Sequence, residues 1–347
     1  MAEHFDMAAQ LVANSVRFGW YSGVNWALDR AALGKTTTPE GYQPKHPVPK
    51  RSQLFADLRA MILQDAARVR DGVYPPMFEA STFFEHLDRI RAMFSDLPET
   101  LERREKKETK SAQDLDHSGA LPDYFVQDFH FQTGGYLSQD SAKLYDVQVE
   151  TLFYGTAGLM RRAALQPLAN EMRLKDQRCM TLLDVACGTG RFLREVRLAF
   201  PGLWLTGLDL SQSYLQEAKS HLGDLRPVTW LNANVEEISL PTASQDIVTA
   251  VFLFHELPPD VRRRATAEIA RVLKPGGLFV FVDSLQMGDR PGWDGLLEAF
   301  PVRFHEPYFR SYAIDDLDAM FDAHGLARES DEVAFLSKVI TRRKVGG

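Results

Sequence analysis

The stretch "LLDVACGTGRF", Leu182 to Phe192, decides how this chain is read. Its apolar start has the character of a strand, its glycines that of a turn, and its end opens an amphipathic helix. Open parallel sheets bind ligands at such units, outside the carboxyl ends of their strands. Gly188 and Gly190 let backbone approach a ligand closely. The helix opening at Arg191 or Phe192 presents unpaired N–H groups and the positive end of its dipole. Asp184 is the residue out of place, because a loop that cradles phosphate does not want a carboxylate beside it. Two unit charges at ~4 Å repel by ~4 kcal/mol at an effective dielectric of ~20.

A dinucleotide site would also read G-x-G-x-x-G, and Leu193 stands where the third glycine belongs. The loop is therefore expected to take a ligand with cationic parts and no phosphate. S-adenosyl-L-methionine fits, with its ammonium, its sulfonium and one carboxylate for the backbone N–H groups. Asp209 ends the next apolar run and can accept both hydroxyls of a ribose. It does not separate NAD from S-adenosylmethionine, since both carry a ribose; Asp184 does.

Working outward, short apolar runs alternate with amphipathic segments. "TLLDVA", "LWLTGLD", "VTWLN", "DIVTAVFLF" and "LFVFVD" read as strands. "RFLREVRLAF", "SQSYLQEAKSHL" (stopped by Gly223) and "PDVRRRATAEIARVL" (ended by Lys274-Pro275-Gly276-Gly277) read as helices. Such alternation implies a parallel sheet covered by helices on both faces. "LARESDEVAFLSKVITRRK" reads as two strands with no helix between them, an antiparallel hairpin at one sheet edge.

These segments resemble the class I S-adenosylmethionine-dependent methyltransferases, in the small-molecule group that includes the ubiquinone-biosynthesis type. "LLDVACGTGRF" is similar to the family's L-D-x-G-x-G-x-G motif, with Ala186 in place of the first glycine. "LTGLDLS" is similar to the second motif, with Asp209 as ribose ligand and Leu210 beside the adenine. "ANVEEI" lies where the family often has G-D-A-E, so Asn234 replaces an aspartate near the adenine amino group. An amide oxygen there can still accept, without charge assistance. "QDIVTAVFLFHEL" and "RVLKPGGLFVFVDS" resemble the fourth- and fifth-strand motifs. The resemblance covers about residues 150–347. It implies an α/β fold: a doubly wound, mostly parallel seven-stranded, Rossmann-like sheet with an N-terminal α-helical cap. Cofactor contacts are implied for Asp184, Ala186, Gly188, Gly190, Asp209, Leu210, Asn234, Val235 and Phe252. The activity implied is methyl transfer to an O, N or C nucleophile of a small aromatic or apolar molecule. Two other readings stay open: a protein that binds the cofactor without catalysis, and an NAD-dependent oxidoreductase, which Leu193 and Asp184 disfavour.

The first 150 residues differ in character. Met7–Ala31, Ser52–Val69 and Ser81–Leu97 carry apolar residues at helical spacing, and Lys35–Lys50 is a Pro- and Thr-rich connector. The expected division is a helical cap, substrate or oligomerisation region over 1–150 and a cofactor domain over 151–347. His255, just after the fourth strand, is the candidate base, with Glu256 as a weaker one. The span Asp123–Arg162 is dense in aromatic residues, among them Tyr136, Tyr145 and Tyr154. It is expected to cover the cofactor, with Tyr154 a second candidate at the catalytic centre and Gly134-Gly135 a hinge.

The formal charge is −7, and the basic runs are short or mixed with acids, which argues against a nucleic-acid partner. Cys179 and Cys187 are too few for a disulfide framework and lack metal-ligand spacing, so no metal is expected. No secretory signal or membrane-length apolar run is apparent, so the expected setting is cytoplasmic. The expected partner is a small-molecule substrate, with a homodimer as the candidate assembly.

Overall fold

The chain begins with helices, as its spacing predicts. In the computed structural model, which describes residues 2–32, 41–78, 83–116, 119–173, 175–223, 225 and 227–346, these are α1 (Ala2–Ala31), α2 (Arg51–Arg70) and α3 (Phe83–Lys106). Then come α4 (Gln139–Leu152), α5 (Ala157–Arg162) and α6 (Leu165–Met172). Residues 41–50 of the expected connector form neither helix nor strand, and residues 35–40 lie outside the described residues. Residue 150, where a division was expected, falls inside α4.

The alternation that follows gives β1 (Thr181–Val185), α7 (Arg191–Ala199), β2 (Trp204–Asp209), α8 (Gln212–Leu222), β3 (Thr229–Asn232) and β4 (Gln245–Val251). It continues with α9 (Pro259–Val272), β5 (Leu273–Ser284), α10 (Asp294–Arg303), α11 (Phe309–Tyr312), α12 (Leu317–Asp322), β6 (Leu326–Ala334) and β7 (Ser337–Lys344). The seven strands form one sheet in the order β3-β2-β1-β4-β5-β7-β6. The first five run parallel, and β6 and β7 form the antiparallel edge hairpin. Chain order reverses at β1, between β2 and β4, which puts the loop after β1 at the switch point.

Leu182 and Leu183 are adjacent and both fully buried, yet they join different cores. This is the two-residue period of a strand covered on both faces. On one face Leu182, Leu193 and Val280 pack with Leu165 and Leu168 of α6 and with Val69 at the end of α2. On the other, Leu183, Val248 and Phe281 pack with Ile269 of α9 and Phe321 of α12. The N-terminal helices thus share a core with the sheet.

β4 stops short of the expected Phe254. Phe252 turns into the left-handed region (φ +57) while its N–H still donates to Val282 O at 2.7 Å. Phe254–Glu256 then form one 3-10 turn. β5 starts earlier than expected, because Leu273 already pairs with Gln245. No helix among the described residues is long and apolar enough to cross a membrane.

Candidate functional site

The glycine loop is shaped by two conformational needs. Gly188 is left-handed (φ +55), with open space where a Cβ would stand. Gly190 is left-handed (φ +74), and a Cβ there would lie 2.9 Å from Ala218 Cβ, so glycine lets α7 start against α8. Ala186 also has a left-handed backbone, φ +53, at the position where the related motif has glycine. That conformation costs an L-residue ~1–2 kcal/mol, partly offset by glycine's larger unfolded-state entropy. Ala186→Gly should therefore stabilise the protein by ~0.5–1 kcal/mol in urea unfolding, and a loss of stability would contradict this reading.

Asp209 organises the loop. Its Oδ2 accepts from Gly188 N and its Oδ1 from Ser211 N, each at 2.8 Å. Burial pushes its pKa up to about 6, against the lowering effect of those two N–H groups. Asp184 lies deeper, 1% exposed, and accepts from Thr249 Oγ1 at 2.6 Å. Burial raises it to about 7. Two buried carboxyls with raised pKa values suit a cationic ligand better than an anionic one. Cys187 is buried and its thiol is pushed well up, so it is no nucleophile as it stands.

Ala186, Gly188, Asp209, Leu210, Asn234, Val235 and Phe252 line one cavity of about 100 Å³, roofed by Phe129, Tyr136 and Tyr145. Asp184 and Gly190, expected at the cofactor, are not among its lining residues. Asn234 Oδ1 already accepts from Glu236 N (3.0 Å) and Tyr124 OH (3.3 Å). The aromatic roof is pinned where α8 begins: Ser211 Oγ donates to Tyr136 O (2.5 Å) and Ser213 Oγ to Leu137 O (2.9 Å). Asp146 of α4 accepts from Thr189 Oγ1 (2.6 Å) and Arg191 Nε (2.7 Å), joining the cap to the glycine loop. No spacing in the sequence points to Asp146, because its partners lie more than forty residues away.

A second cavity, of about 520 Å³, lies beside the first. Its walls are mostly apolar and come from both ends of the chain: Trp26 of α1, Leu58 of α2, Phe153, Leu297 of α10, Phe309 of α11 and Phe335. Tyr145, Phe252 and Glu256 line both cavities. His255 and Tyr154 line the larger one, and Tyr154 is 43% exposed. His255 is buried, and its Nδ1 lies 2.6 Å from Asp283 Oδ1. Burial disfavours its charged form, but Asp283 overrides this and raises the imidazole pKa to about 10. Asp283 thus orients the ring and favours its protonated form. Asp283 is a partner the sequence did not single out.

With that geometry, comparison with known proteins is informative. Residues 182–277 match the model of a methyltransferase domain family. The chain is similar to the ubiquinone/menaquinone biosynthesis C-methyltransferase of Methylobacterium nodulans, 32% identical over 165 residues, 47% of this chain and 63% of that protein. It is also similar to the demethylmenaquinone methyltransferase of Listeria welshimeri, 30% identical over 142 residues, 40% of this chain and 58% of that protein. The chain thus spans about three-fifths of the length of these curated relatives. A solved S-adenosylmethionine-dependent methyltransferase from Aquifex aeolicus aligns with TM-score 0.39 at 21% identity, over 53% of this chain and 93% of that one. Residues 182–277 are thus similar to a methyltransferase domain, and the sheet built around them has five parallel strands and an antiparallel edge hairpin. S-adenosylmethionine is the cofactor that its glycine loop and two buried carboxyls fit.

Proposed function

We propose that the protein transfers a methyl group from S-adenosylmethionine to a nucleophilic atom of a small apolar or aromatic molecule held in the larger cavity. The observation that carries this reading is that the two cavities share a wall at Tyr145, Phe252 and Glu256. A methyl group leaving the cofactor side there meets a compound on the other. Both relatives are named for menaquinone chemistry, which agrees with an apolar acceptor. The acceptor atom, O, N or C, stays open.

The bound cofactor supplies an electrophilic methyl group and a neutral thioether leaving group. The chain's own residues do the rest. Asp209 accepts from the ribose hydroxyls and keeps the glycine loop in place through Gly188 N. The aromatic roof and the N-terminal helices, a cap over roughly residues 1–150, exclude water and align the acceptor. His255, fixed through Nδ1 by Asp283, presents its other ring nitrogen on the acceptor side, where Asp283 favours a protonated ring. The cofactor-side cavity, about 100 Å³, is below the ~300 Å³ of pockets that enclose a drug-sized ligand, so the site opens further to admit the cofactor.

The test is incubation of the full chain with methyl-labelled S-adenosylmethionine and a fractionated metabolite extract. Label should move into an apolar fraction. Tight cofactor binding without any transfer, across extracts in which a known methyltransferase is active, would favour a non-catalytic role.

A further inference from the structure

Three ligating side chains that are remote in sequence converge at the edge of the larger cavity. His130 comes from the cap, Glu256 from the turn after β4, and Glu306 from the link between α10 and α11. One ligand atom from each lies within 4.8 Å of the other two. His130 and Glu256 line the cavity. The His130 backbone is left-handed (φ +55), and its N–H donates to His305 O at 3.2 Å, which ties the cap to the segment that carries Glu306. Phe300 and Phe304 contact the His130 ring edge-on and fix its plane.

A second observation is independent of this convergence. Glu306 is 3% exposed, and neither of its carboxylate oxygens accepts a hydrogen bond. His130 Nε2 lies 2.8 Å from Glu306 Oε1, but off the direction a hydrogen bond requires. A buried carboxylate that accepts no hydrogen bond favours a cation beside it, and the His130 ring alone leaves its second oxygen without one. Glu256 is better supported, since its Oε1 accepts from Tyr136 OH at 2.6 Å and its Oε2 remains for another partner.

We propose that His130, Glu256 and Glu306 hold a divalent first-row metal ion, Mn²⁺ or Zn²⁺ in kind, at the edge of the larger cavity. One imidazole and two carboxylates form a mixed N,O donor set that suits these ions. Two carboxylate charges balance the ion's, and three protein ligands leave a position open towards the cavity. Metal–ligand bonds of ~2.0–2.2 Å put neighbouring donor atoms ~3–3.5 Å apart. Binding must therefore draw the donor atoms in from their present spread of up to 4.8 Å. Tyr136, which bonds Glu256, then serves as a positioning residue for the ion. A metal there would polarise an oxygen of whatever enters the cavity. The site itself does not depend on what the protein methylates.

The experiment uses the full chain after treatment with a chelator and exchange into metal-free buffer. Mn²⁺ is titrated with free ion read by electron paramagnetic resonance, and Zn²⁺ is titrated in parallel by calorimetry. One equivalent should bind with micromolar affinity or better, and saturation should raise Tm by about 3 °C or more. Glu306→Gln and His130→Ala should each weaken binding at least tenfold and abolish the Tm rise. Glu306→Gln removes an uncompensated buried charge, so its metal-free Tm should equal or exceed that of the parent, which guards against misfolding as the cause. The proposal is overturned if neither ion binds saturably at one equivalent, or if both variants bind as tightly as the parent.

Discussion

Asp65→Ala will destabilise the protein by ~3–5 kcal/mol, the scale for stranding one member of a buried ion pair. Asp65 is 2% exposed and accepts five hydrogen bonds: from Gln10 Nε2, Asn14 Nδ2, Tyr74 OH, Arg162 Nε and Arg162 Nη2, all at 2.7–3.0 Å. These donors come from α1, from the segment just after α2 and from α5. One carboxylate therefore ties the N-terminal helices to the segment leading into the sheet. Without it, Arg162 keeps Glu195 at 3.2 Å and a long bond to Asn14, and stays buried. Burial alone would raise the Asp65 pKa, but Arg162 and the other donors hold it below the ordinary value. Its folded pKa is thus depressed, so its contribution is present above the unfolded carboxyl range and is lost as pH falls through the folded value. The double variant Asp65→Leu with Arg162→Met should recover much of the loss, because apolar replacement of both partners removes the stranded charge. Chemical unfolding at pH 7 measures all three. A loss below ~1 kcal/mol in Asp65→Ala would show that the helices are docked by apolar packing alone.

Asp209→Ala is expected to weaken S-adenosylhomocysteine binding by ~1–3 kcal/mol, about 5- to 150-fold. Two losses would add: the proposed acceptor for the ribose hydroxyls, and the anchor that Gly188 N uses at 2.8 Å. The same carboxyl predicts a pH dependence. With a pKa of about 6 it is ionised at neutral pH and protonated below that. Affinity in the parent should therefore fall as pH drops through about 6, up to tenfold per unit, and Asp209→Ala should flatten that limb. Without ligand the sign reverses. The folded chain holds this proton more tightly than an unfolded carboxyl of pKa ~3.9, so stability falls as pH rises from about 4 to 6. Calorimetric titrations between pH 5 and 8 test both limbs. An unchanged affinity in folded Asp209→Ala would remove Asp209 from the site.

The legible part of the site was the part made by neighbours in sequence. Asp184, Gly188 and Asp209 follow a strand–turn–helix grammar that can be read from their immediate neighbours in sequence, even though Asp184 bonds Thr249 and Asp209 bonds Gly188. The structure places Ala186, Leu210, Val235 and Phe252 on the same cavity. The illegible part was made by residues whose partners are remote. Asp146 reaches Arg191, Asp283 holds His255 through Nδ1, and Glu306 meets His130. No periodicity encodes these meetings. The left-handed turn at Phe252, which ended β4 early, was hidden too, because an apolar run does not reveal where its backbone reverses.

The sequence by itself determined the sheet, its edge hairpin and the glycine loop, because alternation of buried side chains and the glycine turn are local consequences of backbone geometry and the hydrophobic effect. Only the tertiary structure decided what stands around them. The helices of the first half could have covered any apolar surface, since an amphipathic face specifies burial but not a partner. Their place beside the carboxyl ends of the strands is set by bonds such as Asp65–Arg162 and Asp146–Arg191. The larger cavity and its charges exist because several long-range contacts close at once, which no stretch of sequence holds alone.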